Sequence, residues 1–105
     1  MDKRQTLTRD EALALVRQYK QVISRRFDIE PKVMMFGSYS KGYANPDSDI
    51  DVAVIVPTYK GNKFDMSKDL WHDVRNVSFL IEPVLMAEDC WSPLYDDVMR
   101  TGVAV

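Results

Sequence analysis

Gly37-Ser38 and, after ten intervening residues, Asp49-Ile50-Asp51 hold the residue types in this chain whose spacing suits chemistry. They lie within FGSYSKGYANPDSDIDVAVIV, where a small, flexible turn precedes two acids that open a run of Ile, Val and Ala. Side chains on a strand alternate between faces, so Asp49 and Asp51 are expected to point one way while Ile50 and Val52 enter the opposite layer. Like charges at that spacing repel, and each raises the other's pKa unless a cation lies between them. A divalent metal is the simplest resolution. Hard oxygen ligands select Mg²⁺ or Mn²⁺, and Mg²⁺ completes its shell with waters and substrate phosphates, which makes a nucleoside triphosphate a natural co-ligand. Glycine at position 37 lets backbone N–H groups approach phosphate oxygens closely, Ser38 adds a hydroxyl donor and Lys41 a positive charge. Each feature also has a plainer reading: solvated acids at a strand end, an ordinary turn, a loop lysine.

Two familiar cation and phosphate loops do not fit. An EF-hand starting at Asp47 would place Val52 where glycine is needed and Thr58 where glutamate is needed. A P-loop starting at Gly37 would find its second glycine at Gly42, yet Tyr43 and Ala44 stand in place of Lys and Ser/Thr.

The elements that must position these residues are legible in outline. Thr8 and Glu11 form a capping-box pattern, and Ala12, Leu15, Val16, Tyr19, Ile23 and Phe27 recur at helical spacing, predicting an amphipathic helix that ends near Phe27. Its other side carries Arg9, Arg17, Lys20, Arg25 and Arg26, read as a solvated face. Lys32 to Phe36 (KVMMF), stopped by Gly37, reads as a first strand, and Ile50 to Val56 as a central strand covered on both faces. Phe64, Leu70, Trp71, Val74 and Val77 suggest a second helix, and Phe79 to Met86 (FLIEPVLM) a third strand with Glu82 as its one charge. Ser92-Pro93 opens a last helix that stops at Gly102, with a possible terminal strand after it.

Composition bounds the rest. A chain of 105 residues, 46% of them hydrophobic, suits one domain with one core over residues 1–105. Fourteen basic and 16 acidic residues give a net charge of −2, so no global basic field attracts nucleic acid. Cys90 is the only cysteine, which excludes an internal disulfide, and it reads as a semi-buried filler. The N-terminal MDKRQTLTRDEALALV has no apolar run suited to a signal peptide, and no segment approaches a membrane span, so a cytoplasmic location is expected. His72, beside Trp71, reads as a surface or packing histidine, while Tyr39 and Tyr43 either stack on a base or cover the loop.

The pattern of Gly-Ser, ten residues and Asp-Ile-Asp, set between apolar strands, resembles the signature of the nucleotidyltransferase superfamily that includes DNA polymerase beta and kanamycin nucleotidyltransferase. In size the chain is most similar to that superfamily's minimal nucleotidyltransferases. The resemblance implies an α+β fold, a small mixed sheet with helices packed on it. It implies that Gly37 and Ser38 contact the triphosphate, that Asp49 and Asp51 hold two Mg²⁺ ions, and that Lys41 is a possible further contact. The family's third carboxylate, which binds metal and helps deprotonate the acceptor hydroxyl, falls on Glu82. Pro83 cannot donate to a ladder, so this strand is expected at an edge or a bulge. The resemblance further implies transfer of a nucleoside monophosphate, AMP from ATP, to a hydroxyl on an all-helical HEPN-family partner, in a toxin–antitoxin pair. The competing expectation is a partner-binding module that kept the fold and lost turnover.

Overall fold

The computed structural model describes residues 6–105; the first residues of the charged N-terminal segment, 1–5, lie outside them. Helix α1 spans Arg9–Ser24, and its start is the predicted capping box: Glu11 N–H donates to Thr8 Oγ1 at 3.0 Å while Thr8 N–H donates to Glu11 Oε1 at 2.9 Å. The helix ends a turn earlier than the apolar spacing suggested. Arg26 and Phe27 N–H groups donate to the Ile23 and Ser24 carbonyls in a closing turn, and Phe27 packs on the core from beyond the helix.

Strand β1 (Lys32–Phe36) runs into the one-turn helix α2 (Ser38–Lys41), followed by β2 (Ile50–Val56). Helix α3 (Lys63–Asp73) and a 3-10 turn (Val74–Asn76) lead to β3 (Ile81–Ala87). Helix α4 (Pro93–Thr101) opens as predicted, with Ser92 Oγ accepting from Tyr95 N–H at 3.1 Å, and β4 (Val103–Ala104) closes the described chain. The third strand begins two residues later than expected because Ile81 N–H is still held in a turn on the Ser78 carbonyl at 3.2 Å.

The sheet is mixed, in the order β3-β2-β1-β4: β1 is antiparallel to β2 and β4, and β2 is parallel to β3. Strand β2 is interior and covered on both faces, as its unbroken Ile/Val/Ala composition requires. Ile50, Val52 and Val54 join Ala12, Val16, Tyr19 and Leu70 under α1 and α3, while Ala53 and Ile55 join Met34, Met86 and Val98 under α4. Pro83 sits on β3, an edge strand, where the missing N–H costs no ladder bond on the open side.

Two further expectations are corrected. Cys90 is exposed, because it sits in the turn after β3, its N–H on the Ala87 carbonyl at 3.1 Å. The basic face of the first helical region is only partly a solvated one. Arg26 donates to both carboxylate oxygens of Asp73, at 2.6 and 2.8 Å, and Asp73 is the one buried charged side chain among the described residues. No helix among the described residues is long and apolar enough to cross a membrane.

Candidate active site

The acids and the glycine turn meet at one end of the sheet. Asp51 is the second residue of β2; its register partner on β1 is Phe36 and on β3 is Glu82. Neighbouring residues in register project to the same face, so Asp51 and Glu82 lie side by side on the face toward α4. Asp49 stands one residue before β2 rather than within it, since pairing of that strand starts at Ile50, whose N–H donates to the Leu80 carbonyl at 2.8 Å. It still reaches the row, close enough to Glu82 for its charge to raise that carboxyl.

Electrostatics follows from that crowding. Asp51 is held above the ordinary carboxyl range, first by burial and then by Asp49. Glu82 is also raised, by desolvation first and then by Asp49, with Asp51 a smaller contributor. That mutual repulsion is what a cation between the groups would relieve.

Gly37 follows β1 with φ +76° and ψ −150°, a region that is essentially glycine's alone. A Cβ there would overlap Asp51 Oδ2 and come within 3.1 Å of its Cγ. The turn and the aspartate are thus packed together, and the two halves of the sequence pattern are one site. The Gly37 carbonyl accepts from Lys41 N–H at 3.0 Å and from Ser40 Oγ at 3.0 Å, so Ser40, which the sequence pattern did not single out, braces the turn. Ser38, half-buried, begins α2 directly after this glycine.

Lys41 lies at the end of α2, but its Nζ is 3.4 Å from Asp97 Oδ2 on α4, and Asp97 also meets Arg100 at 3.4 Å. An exposed pair of this kind contributes under about 1 kcal/mol, so Lys41 is readily released to a stronger anion. Asp97 was not legible as a neighbour, since no local pattern predicts a contact 56 residues away. Of the two tyrosines, Tyr39 is buried and its hydroxyl accepts from Leu7 N–H at 3.3 Å, so it belongs to the core; Tyr43 is exposed. His72 is exposed on α3.

The donor set at this end is all carboxylate oxygen, which suits a hard divalent cation. Among the described residues no group of three or more His, Cys, Asp or Glu is arranged so that it could hold a metal ion. What the structure places together is the row Asp49, Asp51 and Glu82 beside Gly37.

Known proteins resemble this chain over most of its length. A Methanocaldococcus jannaschii protein named "putative protein adenylyltransferase" is 29% identical over 103 residues, covering 90% of this chain and 99% of its own. The crystal structure of a Sulfolobus solfataricus protein described as a "putative nucleotidyltransferase" superposes with a TM-score of 0.64 at 20% identity, over 91% of this chain and 80% of that one, and shares the fold. The crystal structure of a mutant MntA–HpeT toxin–antitoxin complex overlaps at a TM-score of 0.47 and 18% identity, over 93% of this chain and 71% of that one, a likeness too slight to argue from. The family model described as "Nucleotidyltransferase domain" matches residues 16–87, which contain the whole of β1, β2, β3 and the carboxylate row; the chain belongs to that family.

Proposed function

We propose that the chain is a magnesium-dependent nucleotidyltransferase that moves AMP from ATP to a hydroxyl acceptor, and that the acceptor is a tyrosine of a HEPN-family partner to which it serves as antitoxin in the cytoplasm. The observation that carries the transferase reading is the register of Asp51 with Glu82, with Asp49 close enough to raise the Glu82 carboxyl and Gly37 packed on Asp51. The protein-acceptor reading is supported by the name of the M. jannaschii relative; the HEPN partner rests on the resemblance of the sequence pattern.

In this reading Gly37 and Ser38 bind the triphosphate and Lys41 exchanges Asp97 for a phosphate oxygen. Asp49, Asp51 and Glu82 would hold Mg²⁺, or Mn²⁺, two ions in all. When bound, the metal supplies positive charge that neutralises the phosphates and acidifies the attacking hydroxyl. Glu82 takes the proton from the acceptor hydroxyl. The acceptor oxygen then bonds to the α-phosphorus as the bond to the β-phosphate oxygen breaks, and pyrophosphate leaves from the Gly37-Ser38 side. Positioning and charge stabilisation are the protein's whole contribution to such a transfer.

The test is incubation of the purified chain with MgCl₂, α-labelled ATP and cell extract, beside an Asp49→Asn/Asp51→Asn variant. Label on one protein band with the wild type alone is the expected outcome, and the variant should lose at least about 10²-fold in rate. Equal labelling by both proteins, or none, would favour a silent partner-binding module.

A further inference from the structure

The phosphates and the transferred group have residues to hold them in this reading; the nucleobase does not. Two exposed aromatic rings stand on segments at the carboxylate end of the sheet, Tyr43 after α2, 64% exposed, and Phe79 before β3, 80% exposed. Tyr39 is spoken for by the core, and Phe64, Trp71 and Trp91 belong to α3 and to the segment after β3.

Phe79 is the more informative ring. A tyrosine left in water keeps its hydroxyl solvated, whereas a phenylalanine offers water nothing but apolar surface. Its neighbours Val77 and Leu80 pack on the core, so the turn is anchored and Phe79 alone is left out. The turn is held by hydrogen bonds: Leu80 N–H donates to Ser78 Oγ at 3.2 Å, Ile81 N–H to the Ser78 carbonyl at 3.2 Å, and Ile50 N–H to the Leu80 carbonyl at 2.8 Å. The last bond ties the turn to the residue between Asp49 and Asp51, and Glu82 lies three residues beyond Phe79.

Tyr43, on the connection from α2 to β2, and Phe79, just before β3, lie on segments that adjoin the strand ends carrying Asp51 and Glu82. That suits stacking on a single ring, which any nucleobase can do, better than the contiguous apolar patch a protein partner requires. We propose that Phe79 is the platform on which the nucleobase of the triphosphate stacks, an inference that rests on the nucleotidyltransferase reading of the site.

Titration calorimetry in MgCl₂ with two probes, ATP and inorganic tripolyphosphate, tests it on the wild type, Phe79→Ala and Phe79→Trp. Phe79→Ala should weaken ATP binding by about 5- to 100-fold and leave tripolyphosphate unchanged, while Phe79→Trp keeps the ATP affinity. An unchanged ATP affinity in Phe79→Ala, or an equal loss for both probes, would overturn the platform. A wild type that binds tripolyphosphate as tightly as ATP overturns it too, yet leaves the transferase reading standing. A wild type that binds neither probe overturns both.

Discussion

Gly37 and Gly42 bracket the same short helix and both have positive φ, +76° and +86°, yet their surroundings make opposite demands. At Gly42 a Cβ meets nothing within 4 Å, so Gly42→Ala should cost only the left-handed backbone penalty of about 1–2 kcal/mol and keep activity. At Gly37 a Cβ collides with the Asp51 carboxylate, so Gly37→Ala should displace that group and lose activity as well as stability. Chemical denaturation and α-labelled ATP transfer, run on both variants, check the contrast; equal loss of activity in the two would refute it. Asp51 itself gives a pH-dependent expectation. Its folded pKa is raised, so between the unfolded carboxyl value near pH 4 and the raised value the native state holds a proton that the unfolded chain has released. Stability contributed by the neutral carboxyl is therefore present at low pH and lost as pH rises through the folded value. Without divalent cations, Asp51→Asn should melt above wild type at pH 7, and the gap should close near pH 3. A gap that stays constant with pH would exclude this origin.

The elements divide by how local their causes are. The capping box at Thr8, the Ser92-Pro93 start of α4, the glycine stop after KVMMF and the doubly buried composition of β2 each rest on a few consecutive residues, and each stands where the sequence places it. The pairing of Asp51 with Glu82 was legible only through the family resemblance, because parallel register is set by the long crossover through α3, residues 57–80. Arg26 with Asp73 was not legible at all: an arginine on a basic helical side and an aspartate beside a histidine carry no mark of joining across 47 positions. Yet that pair ties the end of the α1 region to α3, beside Tyr19, whose hydroxyl donates to the Leu70 carbonyl at 2.7 Å and whose pKa is pushed up first by burial and then by Asp73. Arg26→Ala leaves the Asp73 carboxylate buried without its guanidinium. The expected cost is about 2–4 kcal/mol, the lower end reflecting the partly exposed arginine. Because the pair joins the end of the α1 region to the end of α3, away from the start of β2, ATP affinity should be unchanged while the denaturation midpoint falls. A variant that folds as well as wild type would show that the pair is not holding the helices together.

For the molecule as a whole, the net charge of −2 is too small to decide whether a polyanionic nucleotide approaches, so the decision falls to the local field of three acids. By themselves they repel both one another and a triphosphate. In the proposed reading a divalent cation would reverse both effects at once and so couple metal uptake to folding: a ligand that binds the native state alone stabilises it by RT ln(1 + [L]/Kd). At ten times Kd this is about 1.4 kcal/mol. For a domain of this size each kcal/mol moves Tm by about 4–8 °C, so MgCl₂ should raise the wild-type Tm by roughly 6–11 °C. In the Asp49→Asn/Asp51→Asn variant the melting temperature should start higher, because the repulsion is gone, and should barely respond to the salt. Ionic strength alone screens surface pairs such as Lys32–Glu88 in both proteins, so matched NaCl is the control that isolates the site. Equal rises in wild type and variant would locate the cation elsewhere on the molecule and remove the carboxylate row's claim to it.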